Sequence, residues 1–281
     1  MQAVSWRLQV SRPPKDQQYP MTLDTHSLAP PASALAWREA RALADLATLP
    51  FRLAGTALRR PHALGNGRRV IVLPGFGGGD RAMAPMRTYL RLHGFQAEGW
   101  GLGRNLAGLD RPHDPAEISW GLDLNRPYRG EGGVPHLCDL MTARVRKRAE
   151  AYGAPIALVG WSLGGTIARE VARDLPGRVD QVVTLGAPVI GGPKYTRAAK
   201  VFRRRGMDLD WIEAEVARRN ARPIRCPVTA IVSPTDGIVG FHSTRDPHHA
   251  DARYIEADVS HTGMGINGRT LRLVVEALTE Q

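Results

Sequence analysis

The sequence predicts an α/β protein built on a mostly parallel, doubly wound sheet, and three observations carry that expectation. Short apolar or β-branched runs recur at 69–73, 95–99, 155–160, 179–185, 227–232 and 253–257, with helical stretches near 81–93, 137–152, 163–175 and 268–279 among them. Strand–helix alternation of this kind builds a parallel sheet covered on both faces. Ile156-Ala157-Leu158-Val159 and, but for Thr229, Val228-Thr229-Ala230-Ile231-Val232 are apolar throughout, as strands buried on both faces are. The 281 residues are 43% hydrophobic, enough for a full core, which excludes a wholly disordered chain.

Along the chain, residues 1–32 are polar and proline-rich, with Pro13-Pro14 and Pro30-Pro31, and read as a poorly ordered lead in which Met21 is a candidate alternative start. Residues 33–66 form an N-terminal helical segment. Ser33 is placed to cap a helix running to about Leu49, with Leu35, Leu43 and Leu46 apolar and Arg38, Glu39, Arg41 and Asp45 polar. Pro50 is expected to stop or kink it. Such a helix packs on its own domain, with attachment to a membrane surface as the minority reading. The core is expected over 67–192 and 225–281. Residues 101–136, rich in Gly, Pro, Asp and Arg, read as a long loop. Residues 193–224, with Phe202, Trp211 and Ile212 among many arginines, form an amphipathic insertion where a lid would sit.

No apolar run reaches the roughly 18–20 residues that span a bilayer, and residues 1–20 lack the apolar stretch of a signal peptide. A cytoplasmic protein is therefore expected. Cys138 and Cys226 make neither a disulfide scaffold nor a zinc site and read as buried free thiols, with a disulfide between them as the minority reading. The formal net charge is +11, and only four of the 38 basic residues are lysine. The clusters at 144–148 and 203–205 are not interleaved with aromatics, so they read as solvated helix faces, and no nucleic-acid partner is expected. Contact with an anionic membrane surface stays open, because a basic exterior concentrates anions.

The chemistry-bearing signal is Gly160-Trp161-Ser162-Leu163-Gly164-Gly165, directly after an apolar strand and before a helix. Gly-x-Ser-x-Gly in that context is a nucleophile elbow, which lifts Ser162 clear of the backbone at a strained turn. A serine hydroxyl is a weak nucleophile and demands a base, an acid and an oxyanion hole. Leu73-Pro74-Gly75-Phe76-Gly77-Gly78-Gly79 follows an early strand, and the hole is assigned to the backbone N–H groups of Phe76 and Leu163. A phosphate-cradling loop is the competing reading, but no Gly-Lys-Ser/Thr ending follows. Asp236, in Ser233-Pro234-Thr235-Asp236-Gly237, is the candidate acid, although an ordinary Asp-Gly turn would also place an aspartate there. His261 follows the last strand and is the candidate base. His242, His248 and His249 are weaker candidates, and His248-His249 with Asp246 and Asp251 reads as a polar loop rather than a metal site.

The order Ser162, Asp236, His261, each just after a strand, resembles the esterase/lipase branch of the α/β-hydrolase superfamily over about residues 67–281. That resemblance implies the α/β-hydrolase fold with a lid insertion after the sixth strand, a Ser–His–Asp triad and no cofactor. Pro74 stands where the common motif has histidine, and Trp161 where lipases often have histidine, which brings the elbow closer to small-ester and thioester hydrolases. Gly99-Trp100-Gly101-Leu102-Gly103-Arg104-Asn105 and Ser260-His261-Thr262-Gly263-Met264 look like a bacterial lipase-like subgroup.

The expected activity is hydrolysis of a small-molecule or lipid ester through an acyl-enzyme. Phe76, Trp161, Phe202, Trp211 and Ile212 are candidates for an apolar acyl pocket, unless the aromatics only pack the lid. The same triad would serve an acyltransferase, a thioesterase or a perhydrolase. A non-catalytic basic binding module is the remaining alternative.

Overall fold

The computed structural model describes residues 28–59, 64–125, 129–249 and 251–280. The first 27 residues of the lead, Met21 among them, lie outside these, and 28–32 have no regular structure. A 3₁₀ segment, Ser33–Ala40, leads directly into helix α1 (Arg41–Leu58). Two expectations fail here. Ser33 opens the segment without making a side-chain cap, since the residue preceding the first turn is Ala32. Pro50 lies inside α1 instead of ending it. A proline ring orphans the carbonyl one turn back, here that of Leu46, and both residues are exposed, so water is at hand to satisfy it.

Beyond the segment run β1 (Arg69–Leu73), α2 (Ala84–Leu92), β2 (Gln96–Gly99), α3 (Gly133–Tyr152), β3 (Ile156–Trp161), α4 (Leu163–Asp174) and β4 (Val179–Leu185). The chain continues through α5 (Ala199–Arg204), α6 (Leu209–Asn220), β5 (Val228–Val232), β6 (Arg253–Glu256) and α7 (Gly268–Thr279). Helix α3 begins four residues before the expected position, taking in Pro135, because a proline in the first turn removes only an N–H that has no intrahelical acceptor. The Gly/Pro-rich stretch before it holds only a 3₁₀ turn at Pro115–Glu117.

The six strands pair in parallel in the order β2-β1-β3-β4-β5-β6. Side chains alternate across the sheet as period-2 geometry requires. Val70 and Val72 join a cluster with Met86 and Leu90 of α2 and Leu271 and Val274 of α7. Ile71 and Leu73 face the other way, toward Met141 and Val145 of α3 and Ile167 and Val171 of α4. Leu49 of α1 is buried in the first cluster. Burial on both faces explains why these strands read as continuous apolar runs.

The strand order reverses at β1 and β3, and in open sheets of this type the crevice for a ligand forms at the carboxyl ends beside such a switch point. Four loops leave from those ends, carrying Pro74–Gly79, Ser162, Asp236 and His261. Among the described residues, no helix is long and apolar enough to cross a membrane.

Candidate active site

Ser162 takes φ +52° and ψ −125°, a region that a side chain rarely occupies. Its N–H donates to the Leu185 carbonyl at 2.8 Å, which ties the turn to β4. The glycines around it are dictated by contact. A Cβ on Gly160 would stand 2.4 Å from the Gly164 carbonyl oxygen, and one on Gly164 would stand 2.6 Å from the carbonyl oxygens of Leu73 and Pro74. Strand, turn and helix thus close on one another with no room for side chains, and the turn keeps its strain because the surroundings over-determine it.

Asp236 and His261 are both buried, and Nδ1 of His261 lies 2.6 Å from Oδ2 of Asp236. The other carboxylate oxygen, Oδ1, accepts the backbone N–H groups of Ile238 at 2.8 Å and Val239 at 2.7 Å. With a carboxylate at Nδ1, the neutral ring carries its proton there and leaves the Nε2 lone pair for another partner. The indole N–H of Trp161 donates to the His261 carbonyl at 3.0 Å, and the two rings lie 5.7 Å apart.

Sequence reasoning missed two residues that hold this pair. Gly186, at the end of β4, has φ +54°, and a Cβ there would come within 3.0 Å of Asp236 Oδ2 and 3.1 Å of His261 Nδ1. Glu39, from the 3₁₀ segment before α1, reaches both loops at once. Its Oε1 accepts the backbone N–H of Gly237 and that of His261, each at 2.9 Å. Its Oε2 accepts the Thr262 N–H at 2.9 Å and the Thr262 hydroxyl at 2.7 Å. Burial pushes the Glu39 carboxyl up, but the bonds from Thr262, His261 and Gly237 outweigh it and hold the group below its ordinary value. No local pattern marks Glu39, since its partners lie some 200 positions away. Gly186 carried a weak signal as a glycine directly after a buried strand.

The loop after β1 is held from the β2 side by Asn105, which is fully buried. Its Nδ2 donates to the Pro74 carbonyl at 2.8 Å, its N–H to the Gly78 carbonyl at 2.7 Å, and its carbonyl accepts the Gly77 N–H at 2.7 Å. Asp80 accepts the Trp100 N–H at 2.9 Å and so joins the same two loops. The Phe76 amide lies inside this clamped stretch. Leu163 is the first residue of α4, whose N–H is one of those that a helix leaves without an internal acceptor. A Cβ on Gly75 would stand 3.0 Å from Ser162 Cβ, so the loop and the Ser162 turn are in contact.

A cavity of about 420 Å³ opens at this point, lined by Ser162, Leu163 and His261 on its floor. Phe76, Trp161, Phe202, Trp211 and Ile212 all line it as well. The rings of Phe76 and Phe202 meet at 5.3 Å. Phe202 belongs to α5, and Trp211 and Ile212 to α6, so the insertion expected at 193–224 forms one wall. Asp208 caps α6 by accepting from the N–H groups of Asp210 and Trp211. At its far end α6 is fastened to α4. Arg219 donates to Glu170 at 2.6 Å and to Asp174 at 2.7 Å, all three being shielded from solvent, while Arg173 pairs with Glu170 and donates to Asn220 at 3.1 Å.

The other candidate residues lie apart from this cavity. His242 packs edge-on against Phe241, while Asp246, beside His248 and His249, forms a buried ion pair with Arg169. Among the described residues, no group of three His, Cys, Asp or Glu side chains is placed to hold a metal ion. Cys138 and Cys226 are free thiols. Burial pushes Cys138 well above its ordinary value and Cys226 up to about 12, with Asp180 adding to the latter. From the 144–148 cluster, Arg144 and Arg148 meet Glu98 at the edge of the sheet.

Comparison with known proteins agrees with the topology. The model of a family described as alpha/beta hydrolase fold matches residues 50–221. No curated protein matches the chain. Among solved structures, the mature lipase BlEst2 of Bacillus licheniformis is similar at a TM-score of 0.50 and 14% identity, over 76% of this chain and 93% of that one. Its propeptide form gives 0.53 at 15% identity, over 79% of this chain and 52% of that one. A monoacylglycerol lipase of Paleococcus ferrophilus gives 0.50 at 16% identity, over 76% and 96%. At these identities the likeness concerns the fold.

Proposed function

Since the chain belongs to the α/β hydrolase fold family, we propose that it is a serine carboxylester hydrolase acting through an acyl-enzyme. The observation that carries this reading is that His261, 2.6 Å from the buried Asp236 carboxylate, lines one cavity with a serine held at φ +52°. Ser162 Oγ attacks the ester carbonyl while Nε2 of His261 takes its proton, and Asp236 stabilises the resulting imidazolium. The N–H groups of Phe76 and Leu163 receive the oxyanion, each contributing roughly 10²–10³ in turnover. His261 then protonates the departing alcohol. Water adds to the acyl-enzyme by the same route in reverse and frees the acid.

The apolar wall of Phe76, Phe202, Trp211 and Ile212 favours a hydrocarbon acyl group, and the α5–α6 segment serves as the cap that excludes water from it. The test is intact-mass labelling with a fluorophosphonate, wild type beside Ser162→Ala, together with hydrolysis of p-nitrophenyl esters of increasing chain length. One label per chain, lost in the variant along with turnover, is the expected result. Labelling that persists in Ser162→Ala, or wild-type turnover by it, overturns the assignment.

A further inference from the structure

The 3₁₀ segment and α1 form a continuous rod with two unlike sides. The inner side carries Glu39, Asp45 and Leu49. Glu39 holds the His261 and Gly237 loops, Asp45 accepts from Asn267 at 2.8 Å, and Leu49 is buried in the core. The outer side is apolar yet faces solvent: Trp37 is 85% exposed, Leu43 70%, Leu46 56%, Phe51 80% and Leu58 83%. The four on α1 fall within about 140° of arc at 100° per residue, so they form one stripe. Single exposed apolar residues are ordinary, but a stripe this continuous along a whole helix marks a contact surface.

Charge identifies what the stripe meets. The acidic residues of the segment, Glu39 and Asp45, are both turned inward. By the same geometry Arg41, Arg52 and Arg59 cluster about 80–100° of arc beyond Phe51, between the stripe and the inward-facing Asp45, with Arg38 in the turn before them. Arg41 meets Asp258 at 3.0 Å and Arg52 lies 3.8 Å from Asp45, yet both remain substantially exposed. An apolar stripe with no outward acid, and with arginines on the polar side beyond one of its edges, suits a helix lying in a lipid interface, where long guanidinium side chains reach back toward anionic headgroups.

Position points the same way. Arg197 lines the cavity and donates to the carbonyls of Ala32 and Ser33, and Thr262 lines it and donates to Glu39. The Trp37 end of the rod therefore borders the rim of the candidate active site.

We propose that the outer face of residues 33–58 docks the protein onto an anionic phospholipid surface and presents the cavity rim to it. The docking stands apart from the hydrolytic reading and is measured without it. The full chain carrying Ser162→Ala is sedimented with phosphatidylcholine vesicles, with and without phosphatidylglycerol, at low and high salt. Binding to the anionic vesicles is expected to exceed neutral binding by about tenfold or more and to fall as salt rises. Replacing Leu43, Phe51 and Leu58 together by serine abolishes it with the melting curve little changed, because all three are exposed. Arg52→Glu with Arg59→Glu removes the anionic preference and supplies a second variant should the first fold poorly. With Ser162 restored, the serine variant hydrolyses a soluble ester as wild type does but loses turnover of an ester embedded in anionic vesicles.

Absence of binding to anionic vesicles at low salt overturns the proposal, as does equal binding by the serine variant or equal binding to neutral vesicles. A dimer in gel filtration that the same serine substitutions dissociate also overturns it, since a second copy would then be the occupant of the stripe.

Discussion

Oε1 of Glu39 accepts the backbone N–H of His261 at 2.9 Å, across 222 positions of the chain. The same oxygen accepts the N–H of Gly237, next to Asp236, so one carboxylate ties together the loops of Asp236 and His261. Glu39 touches no reacting atom and is a positioning residue. Glu39→Gln retains the shape but replaces one acceptor oxygen by a donor that faces backbone N–H groups. We expect kcat on p-nitrophenyl butyrate to fall about tenfold or more with KM little altered, since loosened alignment affects the transition state more than binding. An unchanged kcat would show that the two loops hold their spacing without it.

The same group predicts a pH dependence of stability. Its carboxyl is held below the ordinary glutamate value of 4.5, so the folded state favours the charged form. That contribution is complete above 4.5 and is lost as pH falls through the lowered folded value. The stability gap between wild type and Glu39→Gln is therefore widest near neutrality and narrows in acid. Urea midpoints at neutral and acidic pH measure it. A gap that widens in acid would contradict the assignment.

Gly186→Ala places a methyl group against the Asp236–His261 pair at a backbone angle that disfavours any side chain. Turnover should fall by about 10² while the strain costs roughly 1–3 kcal/mol of stability. Assay and denaturant titration of one preparation separate the two effects. Wild-type turnover would mean that the pair tolerates displacement.

Asp236→Asn leaves both N–H donors of Ile238 and Val239 with an acceptor but removes the charge that holds the Nδ1 proton. Loss of about 10⁴ in kcat is expected, as for a triad whose imidazole is left in the wrong tautomer. Ester hydrolysis with active-site titration checks it, and a loss below tenfold would remove Asp236 from the mechanism.

Ile212→Ala enlarges the cavity on the α6 side without touching Ser162 or His261. The preferred acyl chain should lengthen by a few carbons, at a stability cost below the roughly 2–5 kcal/mol of a fully buried isoleucine, because Ile212 is partly exposed. A p-nitrophenyl ester series reads the shift. An unaltered profile would show that the acyl group lies elsewhere.

What could be read from the sequence follows from range. The sheet was legible because strands such as Val228–Val232 are buried on both faces and so are apolar at every position but Thr229. The turn at Ser162 was legible because its close approaches, Gly160 to Gly164 and Gly164 to Pro74, each require a glycine. Pro50 misled, since a proline on the solvent side of a helix breaks less than its local rule implies. Glu39 stayed hidden because a side chain serving distant backbone amides leaves no periodic trace, and Asn105 showed only as the last residue of the Gly99–Asn105 run, without its role. The outward stripe of α1 was equally hidden, because amphipathic spacing does not say which face is turned inward.

The ion pairs that join α6 to α4 bear on how this protein can be re-engineered or can diverge. Glu170 is shared between Arg173 of its own helix and Arg219 of α6. Transplanting a foreign 193–224 segment would leave Glu170 with Arg173 alone and take both Arg219 and Arg222 from Asp174, at a cost of roughly a few kcal/mol for charges so largely shielded. The segment and the helix that follows Ser162 must therefore be exchanged together. A chimera that moves the first alone should misfold, unless arginine is restored at position 219.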